Sequence, residues 1–510
     1  MLASLLRSLG VLALVGLLLV VGGVVVFVAR SLLYTQHDDP GALARKQGEL
    51  AWMKEQARRG TSPSVRPPNV VLILFDDLGY GDLGAYGSRA VATPQIDALA
   101  REGAVFETFY APAPYCTPSR AGFLTGRWPI RTGLTQVVFP RGDAVDHVQR
   151  ASGGPIRLPA DEILLPEALE AAGYATGMVG KWHLGDASPS LPNDLGFDAY
   201  FGVLHSNDMR PLPLWRDREV VDPDPIDQRQ LTPRYTDEAI AFIEGHRDAP
   251  FFLYVAHSFP HVPLHATPEQ AGRSDAGLYG DVLADLDASV GRLVDALQRL
   301  ELANETLVLI TSDNGPWFQG SPGPVRGRKN DVFEGGMRVP FIAWWPGRIA
   351  SRRVKDIAAG VDVLPTALAL AGVPLPRDRT IDGVDLGPLL FAATPDEAGT
   401  GADEAPRADA KLPERPIYSL SGDTIAAIRV GRWKLHARHG VFGGAPWSLP
   451  FAPLFEQGPW LFDLERDPDE SYDVHERFAE PFARLDAIRD AFERERIRNP
   501  RGFHESARLP

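Results

Sequence analysis

The longest apolar run in the chain comes first. From Leu9 to Ala29 it reads LGVLALVGLLLVVGGVVVFVA, with Arg7 before it, Arg30 after it and no charge inside. An uncharged run of about 20 residues can span a bilayer as a helix. A cleaved signal peptide usually has a shorter apolar stretch that ends at a small-x-small site. No A-x-A precedes Arg30, so residues 1–30 are expected to form a retained anchor, with a cleaved signal as the alternative. The flanks leave orientation open, because Arg30, Arg45 and Lys46 compete with Arg7 and the amino terminus. An N-terminal span commonly exports the chain behind it. The remainder is therefore expected outside the cytoplasm, in the periplasm if the cell is bacterial.

Residues 31–68 are polar, end in TSPSVRPP, and read as a juxtamembrane linker with some helix. At Asn69 the pattern changes to NVVLILFDD followed by LGYGD. A short β-branched run closed by a Gly-rich turn predicts a buried parallel strand with a functional loop at its C-terminal end. TPQIDALAREGAVFETFY predicts a helix entered at Thr93 and then a strand, and LLPEALEAAGYATGMVGKWHLG predicts helix, strand and loop. Thr236 to Gly245 reads as a helix before the strand PFFLYVAHSFPH, and Leu278 to Leu300 as a long helix before the strand TLVLITSDNG. VDVLPTALALAGV predicts one more helix. Strands alternating with helices indicate an α/β domain with a mainly parallel sheet, placed at 69–390. Residues 391–412 lack bulky apolar side chains and read as a linker. PIYSLSG, TIAAIRVGRWKLH and WLFDLERDPDE then predict short antiparallel strands, and PFARLDAIRDAFERERI a terminal helix, giving a small α+β domain over 413–510.

Composition is that of an ordinary globular protein, and the net charge of −14 argues against nucleic acid as a partner. A local cationic pocket for an anionic substrate remains compatible with it. The single cysteine excludes an intrachain disulfide. Polar residues gather at the predicted strand ends: Asp76, Asp77, His183, His261, Asp313 and Asn314. Open parallel sheets bind ligands beyond the carboxyl ends of their strands. Asp76-Asp77 and Asp313-Asn314 each read equally well as turn residues. Together they offer all-oxygen ligands for a hard divalent cation such as Ca²⁺ or Mg²⁺, and no soft-ligand cluster suggests zinc.

The lone cysteine lies in Cys116-Thr117-Pro118-Ser119-Arg120, followed by AGFLTGR. Cys-x-Pro-Ser-Arg is expected by chance about once in a thousand chains of this length. This segment resembles the sulfatase family, whose C-x-P-S-R-x-x-x-L-T-G-R motif marks a cysteine converted to formylglycine; Phe123 stands where Leu is commoner. The resemblance runs from about Asn69 into the C-terminal domain. It implies an alkaline-phosphatase-like fold, a formylglycine-generating maturation enzyme as a partner, and a sulfated small molecule, glycan or lipid as substrate. It also assigns Asp76, Asp77, Asp313, Asn314 and formylglycine 116 to the metal, Ca²⁺ with Mg²⁺ as the alternative. It implies that Arg120 and, in GKWHLG, Lys181 hold charge at residue 116, and that His183 takes a proton during sulfate elimination. Asp313 would help deprotonate the attacking hydroxyl. His261 in PHVP and Lys329, preceding EGGMRVP, would bind sulfate and assist the leaving group. Ser206 in FGVLHSNDM resembles a sulfate-contacting position of some arylsulfatases. His257 and His265 read as structural or rim residues.

Two other functions compete. A phosphoester or phosphonate monoester hydrolase of the same superfamily would share the metal site. An anchored, non-catalytic binding protein would keep Cys116 as a thiol. A membrane phosphoethanolamine transferase is disfavoured by the single span and the absence of a threonine nucleophile in a matching segment.

Overall fold

The structure, a computed structural model, describes residues 2–60, 66–391, 411–437, 439–440 and 456–504. Most of the expected linker at 391–412 thus lies outside the described residues. The chain opens with helix α1 (Leu2–Leu33), of which residues 14–33 have a mean hydropathy of 2.4 and are 6 % buried. That stretch is long and apolar enough to cross a membrane. Helix α2 (Pro40–Gly60) lies in the segment expected to act as a linker, but it is no free stalk. Its Met53 and Ala57 enter the main core, Lys46 pairs with Glu167 at 2.6 Å, and Glu49 pairs with Arg377 at 3.1 Å. The polar composition of the segment hid these contacts, because the buried charges are partnered ones.

The central sheet is built from β1 (Asn69–Phe75), β2 (Ala104–Phe106), β3 (Ala175–Lys181), β4 (Ala199–Val203), β5 (Leu214–Arg216), β6 (Glu219–Asp222), β7 (Phe251–Ala256), β8 (Thr306–Ser312), β9 (Phe341–Trp344) and β10 (Arg352–Val354). Their spatial order is β10-β2-β9-β8-β1-β7-β3-β4-β5-β6. The middle run β8-β1-β7-β3-β4 is parallel throughout, whereas β9, β5 and β6 pair antiparallel. The sheet is therefore mixed and mainly parallel at its centre.

Layering explains why NVVLILF shows no polar alternation. Val70, Leu72 and Leu74 face one core, shared with helices α4 (Cys116–Thr125), α6 (Leu165–Glu170) and α9 (Val363–Leu370). Val71, Ile73 and Phe75 face the other, shared with α3 (Pro94–Glu102), α7 (Leu231–Gly245) and α8 (Gly277–Arg299). A strand covered on both faces must be apolar at every position. Helix α5 (Ala144–Ser152) stands apart from both layers and meets α1. Helix α7 starts at Leu231, earlier than the expected Thr236, because Pro233 falls in its first turn, where a missing N–H costs nothing.

Four antiparallel strands, β11 (Ile417–Ser421), β12 (Thr424–Val430), β13 (Trp433–His436) and β14 (Trp460–Asp463), form a second sheet under helix α10 (Ala479–Arg498). After α10 the chain returns to the main domain. Arg501, Arg127 and Arg379 surround the buried Glu162, at 2.6, 2.7 and 3.7 Å. Burial pushes the Glu162 carboxyl up, but Arg127 and the other guanidiniums outweigh it and hold it at about 2. A depressed acid stabilises the fold above its unfolded value, 4.5, and loses that contribution as pH falls through its folded one. Stability should therefore fall between pH 4.5 and 2, with a shallower slope in Glu162→Gln, as chemical denaturation at stepped pH would show.

Candidate active site and metal centre

Parallel pairing puts the C-terminal ends of β1, β3, β7 and β8 on one edge of the sheet, and the chemistry collects there. Asp76 and Asp77 follow β1, Lys181 closes β3 with His183 just beyond, His261 follows β7, and Asp313 and Asn314 follow β8. Asp77 and His183 adopt left-handed backbone, with φ of 67° and 63°. Such conformations in non-glycine residues are costly and concentrate at functional sites. Gly180, at φ 107°, lets β3 reach the edge; a Cβ there would meet Ala256 O at 1.9 Å.

Cys116 is the first residue of α4 and points into this cluster. Its Sγ lies 3.4 Å from Asp76 Oδ1 and 3.2 Å from Lys329 Nζ. Arg120, one turn on, is fully buried; its Nε and Nη2 meet Asp313 Oδ2 at 2.9 and 2.8 Å, and its Nη1 donates to Lys181 O at 2.8 Å. Lys181 Nζ reaches Asp76 Oδ2 at 2.5 Å and Ser206 Oγ at 3.1 Å. Lys329 Nζ reaches Asp77 Oδ1 at 2.8 Å. The nucleophile candidate and all the expected ionic residues thus form one buried network.

Asp76, Asp77, Cys116 and His261 offer ligand atoms within 4.8 Å of one another. Asn314 Nδ2 donates to Asp77 Oδ1 at 2.7 Å, while its Oδ1 is buried with no hydrogen-bond partner. Asp313 Oδ1 accepts from Asp77 N–H at 3.2 Å. A buried carbonyl oxygen without a donor, beside hard carboxylates, fits a divalent cation. Burial, then the neighbouring Asp76 carboxylate, pushes Asp313 up to about 7. His261 was expected only at the sulfate; the structure sets it among the candidate ligands as well.

Burial, reinforced by Asp76, raises the Cys116 thiol to about 12 against the opposing pull of Lys181 and Lys329. At neutral pH it is a thiol and a poor nucleophile. Burial and then Lys181 hold His183 well below its usual value, so it is neutral. Its Nε2 lies 3.1 Å from Val138 O, and its Nδ1 has no hydrogen-bond partner. His261 is also lowered, by burial and then Lys329. Burial disfavours the charge on Lys329, yet Asp77 and its neighbours hold the ammonium well above its ordinary value.

Sequence reading missed Asn207, whose Oδ1 lies 3.0 Å from His261 Nδ1. Asn207 Oδ1 and Val262 O are both acceptors, so they hold the proton on Nδ1 and leave Nε2 facing Asp77, 3.8 Å away. In HSND this asparagine looks like a turn residue. Also missed was the support behind Lys329. Glu334 accepts from Tyr110 at 2.7 Å and pairs with Lys434 at 3.0 Å, and Glu470 receives the Glu334 N–H at 2.6 Å and pairs with Lys434 at 2.9 Å. The second sheet thereby braces the loop that carries Lys329. Lys434→Met would leave two buried carboxylates facing each other and is expected to cost about 3–5 kcal/mol in urea unfolding. His257, expected to be structural, stacks on Phe75 with ring centroids 5.6 Å apart.

A sequence model of the family described as Sulfatase matches residues 68–373, more than half of the chain. N-acetylgalactosamine-6-sulfatase of Sus scrofa is 39 % identical over 488 residues, covering 88 % of each chain. Arylsulfatase A of Homo sapiens is 38 % identical, covering 80 % of this chain and 83 % of its own. Among solved structures, the PsFucS1 sulfatase from Pseudoalteromonas sp. superposes with a TM-score of 0.72 at 27 % identity, over 91 % of this chain and 96 % of that one.

Proposed function

This chain belongs to the sulfatase family and hydrolyses sulfuric esters, and from that premise we propose that it does so through formylglycine at position 116 beside a divalent cation, on an ester of arylsulfatase type. The observation that carries this reading is the convergence of the Lys329 ammonium and the Asp76 carboxylate on the buried Sγ of Cys116. A buried neutral thiol there is a weak nucleophile, and a sulfated serine or cysteine would need a second difficult attack by water at sulfur. The hydrate of an aldehyde at 116 carries two hydroxyls on one carbon: one attacks sulfur and releases the alcohol, and the other expels sulfate by collapse to the aldehyde. A maturation enzyme that oxidises the Cys116 thiol to the aldehyde is part of this proposal.

Asp76, Asp77, Asp313 and Asn314 would hold the cation, Ca²⁺ or Mg²⁺, with residue 116, and His261 stands within reach of the same point. The bound cation would stabilise charge on the sulfuryl oxygens and lower the pKa of the hydrate. Without it, the carboxylates of Asp76, Asp77 and Asp313 are balanced by Lys181, Lys329 and Arg120. A divalent cation leaves a positive surplus, which suits a sulfate monoanion.

The remaining roles rest on charge and reach. Lys329, held protonated by Asp77, can bind a sulfate oxygen and give a proton to the departing oxygen. Asp313 can take the proton of the attacking hydroxyl, with Arg120 steadying the resulting arrangement. His183, neutral with a free ring nitrogen, can accept the proton of the second hydroxyl. Lys181 and Ser206, 3.1 Å apart, would serve as sulfate donors. The names of the relatives suggest a sulfated sugar or an aryl sulfate as substrate. We further assign the apolar N-terminal helix as a single-pass anchor with the catalytic domain outside the cytoplasm.

Parallel assays with aryl sulfate and aryl phosphate esters test this reading. Sulfate should be turned over at least about a hundredfold faster, the discrimination that a few oriented charges supply. Equal or reversed rates would transfer the protein to the phosphoester reading.

A further inference from the structure

Helix α5 is built inside out. Its buried residues are Asp146, Gln149 and Ala151, whereas Val145 and Val148 are 36 % and 40 % exposed. The polar side has internal partners: Asp146 accepts from Gly142 N–H at 3.0 Å and pairs with Arg150 at 2.8 Å, and Gln149 donates to Val137 O at 2.6 Å. The valines, three residues apart, share the outward face. Two exposed valines alone would be unremarkable on a protein surface. Their position changes that.

Helix α1 meets the catalytic domain on α5 itself. Ser31 Oγ lies 2.7 Å from His147 Nδ1, Tyr34 donates to Gly154 O at 2.9 Å, and Gln36 exchanges bonds of 3.0 Å each with Arg157 O and Ile156 N–H. Asp38 then pairs with Arg157 at 2.6 Å. The first of these contacts falls within the apolar stretch 14–33, before the helix ends. No flexible stalk separates a membrane span from the domain, so the bilayer that α1 crosses must lie against α5.

We infer that the Val145/Val148 face of α5 is a membrane-seating surface that enters the interfacial zone of that bilayer and holds the catalytic domain in one orientation. Its occupant is lipid. Helix α1 packs against α5, and Asp146 and Gln149 are turned inward while the outward face carries Val145 and Val148 together with Ser152. This inference rests on the proposed anchor and not on the chemistry at residue 116.

Nitroxide accessibility tests it. The full-length chain carrying Cys116→Ser is reconstituted in phosphatidylcholine bilayers with a spin label at Val145→Cys, Val148→Cys or, as a control, Asp248→Cys, whose side chain is 94 % exposed. Oxygen collects in lipid and a nickel chelate in water. Collisions with oxygen should dominate at 145 and 148, and collisions with the chelate at 248. Equal chelate access at all three sites would overturn the inference, as would a mature chain from cells whose first residue lies beyond Ser31. The readout does not involve the chemistry at residue 116, so failure here leaves the sulfatase assignment intact.

Discussion

Cys116→Ala is expected to reduce turnover of an aryl sulfate by at least about 10⁴-fold, with the loss in kcat and the fold unchanged. The size of the effect reflects the position of residue 116. Its Sγ is the point on which Asp76 and Lys329 converge, the place the proposed mechanism gives to the nucleophile. Alanine removes the nucleophile and leaves the array. Removing a nucleophile alone costs about as much as removing a whole catalytic unit, and only electrostatic binding of substrate remains. The thermal midpoint should move little, because the thiol's contacts are two weak sulfur interactions. Cys116→Ser is the sharper companion. It keeps a hydroxyl but lacks the geminal partner, so a first sulfuryl transfer followed by arrest would appear as a sulfated protein with no turnover. Steady turnover by the alanine variant would show that residue 116 is not the nucleophile, and steady turnover by the serine variant would show that the second hydroxyl is not needed.

Removing divalent cation should cost about 10³-fold in turnover, because several kcal/mol of transition-state charge stabilisation disappear with it. Asp76, Asp77 and Asp313 are all buried, and their negative charge is relieved in part by Lys181, Lys329 and Arg120. After chelation the ammonium groups are drawn more tightly onto the carboxylates and are less available to sulfate. Substrate affinity should weaken along with the chemical step. Adding Ca²⁺ or Mg²⁺ back should restore both, and the thermal midpoint should rise with cation concentration as ligand linkage requires. Full activity in protein shown by elemental analysis to be free of metal would contradict the site.

The sequence pattern located these residues because strand ends in a parallel sheet are written plainly. NVVLILF announces a strand buried on both faces, and its first polar residues, Asp76 and Asp77, must sit at its end. The same logic places His183, His261, Asp313 and Asn314, whereas Lys181 comes from the resemblance of GKWHLG. What escaped notice depends on distant partners. Asn207 matters only because His261 folds against it, across a sequence separation of 54 residues. Glu334 is an unremarkable acid until Lys434 of the second sheet and Glu470 of the loop after it close on it. Helix α2 looked like solvent-exposed linker because its buried charges, Lys46 and Glu49, have ionic partners in the main domain. Hydropathy shows a charge and cannot show its counterion. The inverted polarity of α5 escaped for a related reason: AVDHVQRAS is visibly amphipathic, but the side that faces inward is set by its neighbours.

The identity of the nucleophile is tested most directly by intact-peptide mass analysis across residue 116 of a preparation titrated for active sites. The active fraction should carry a peptide that has lost sulfur and gained an aldehyde oxygen, and this fraction should track specific activity from batch to batch. Full activity in protein whose residue 116 is entirely an ordinary cysteine thiol would contradict a formylglycine mechanism.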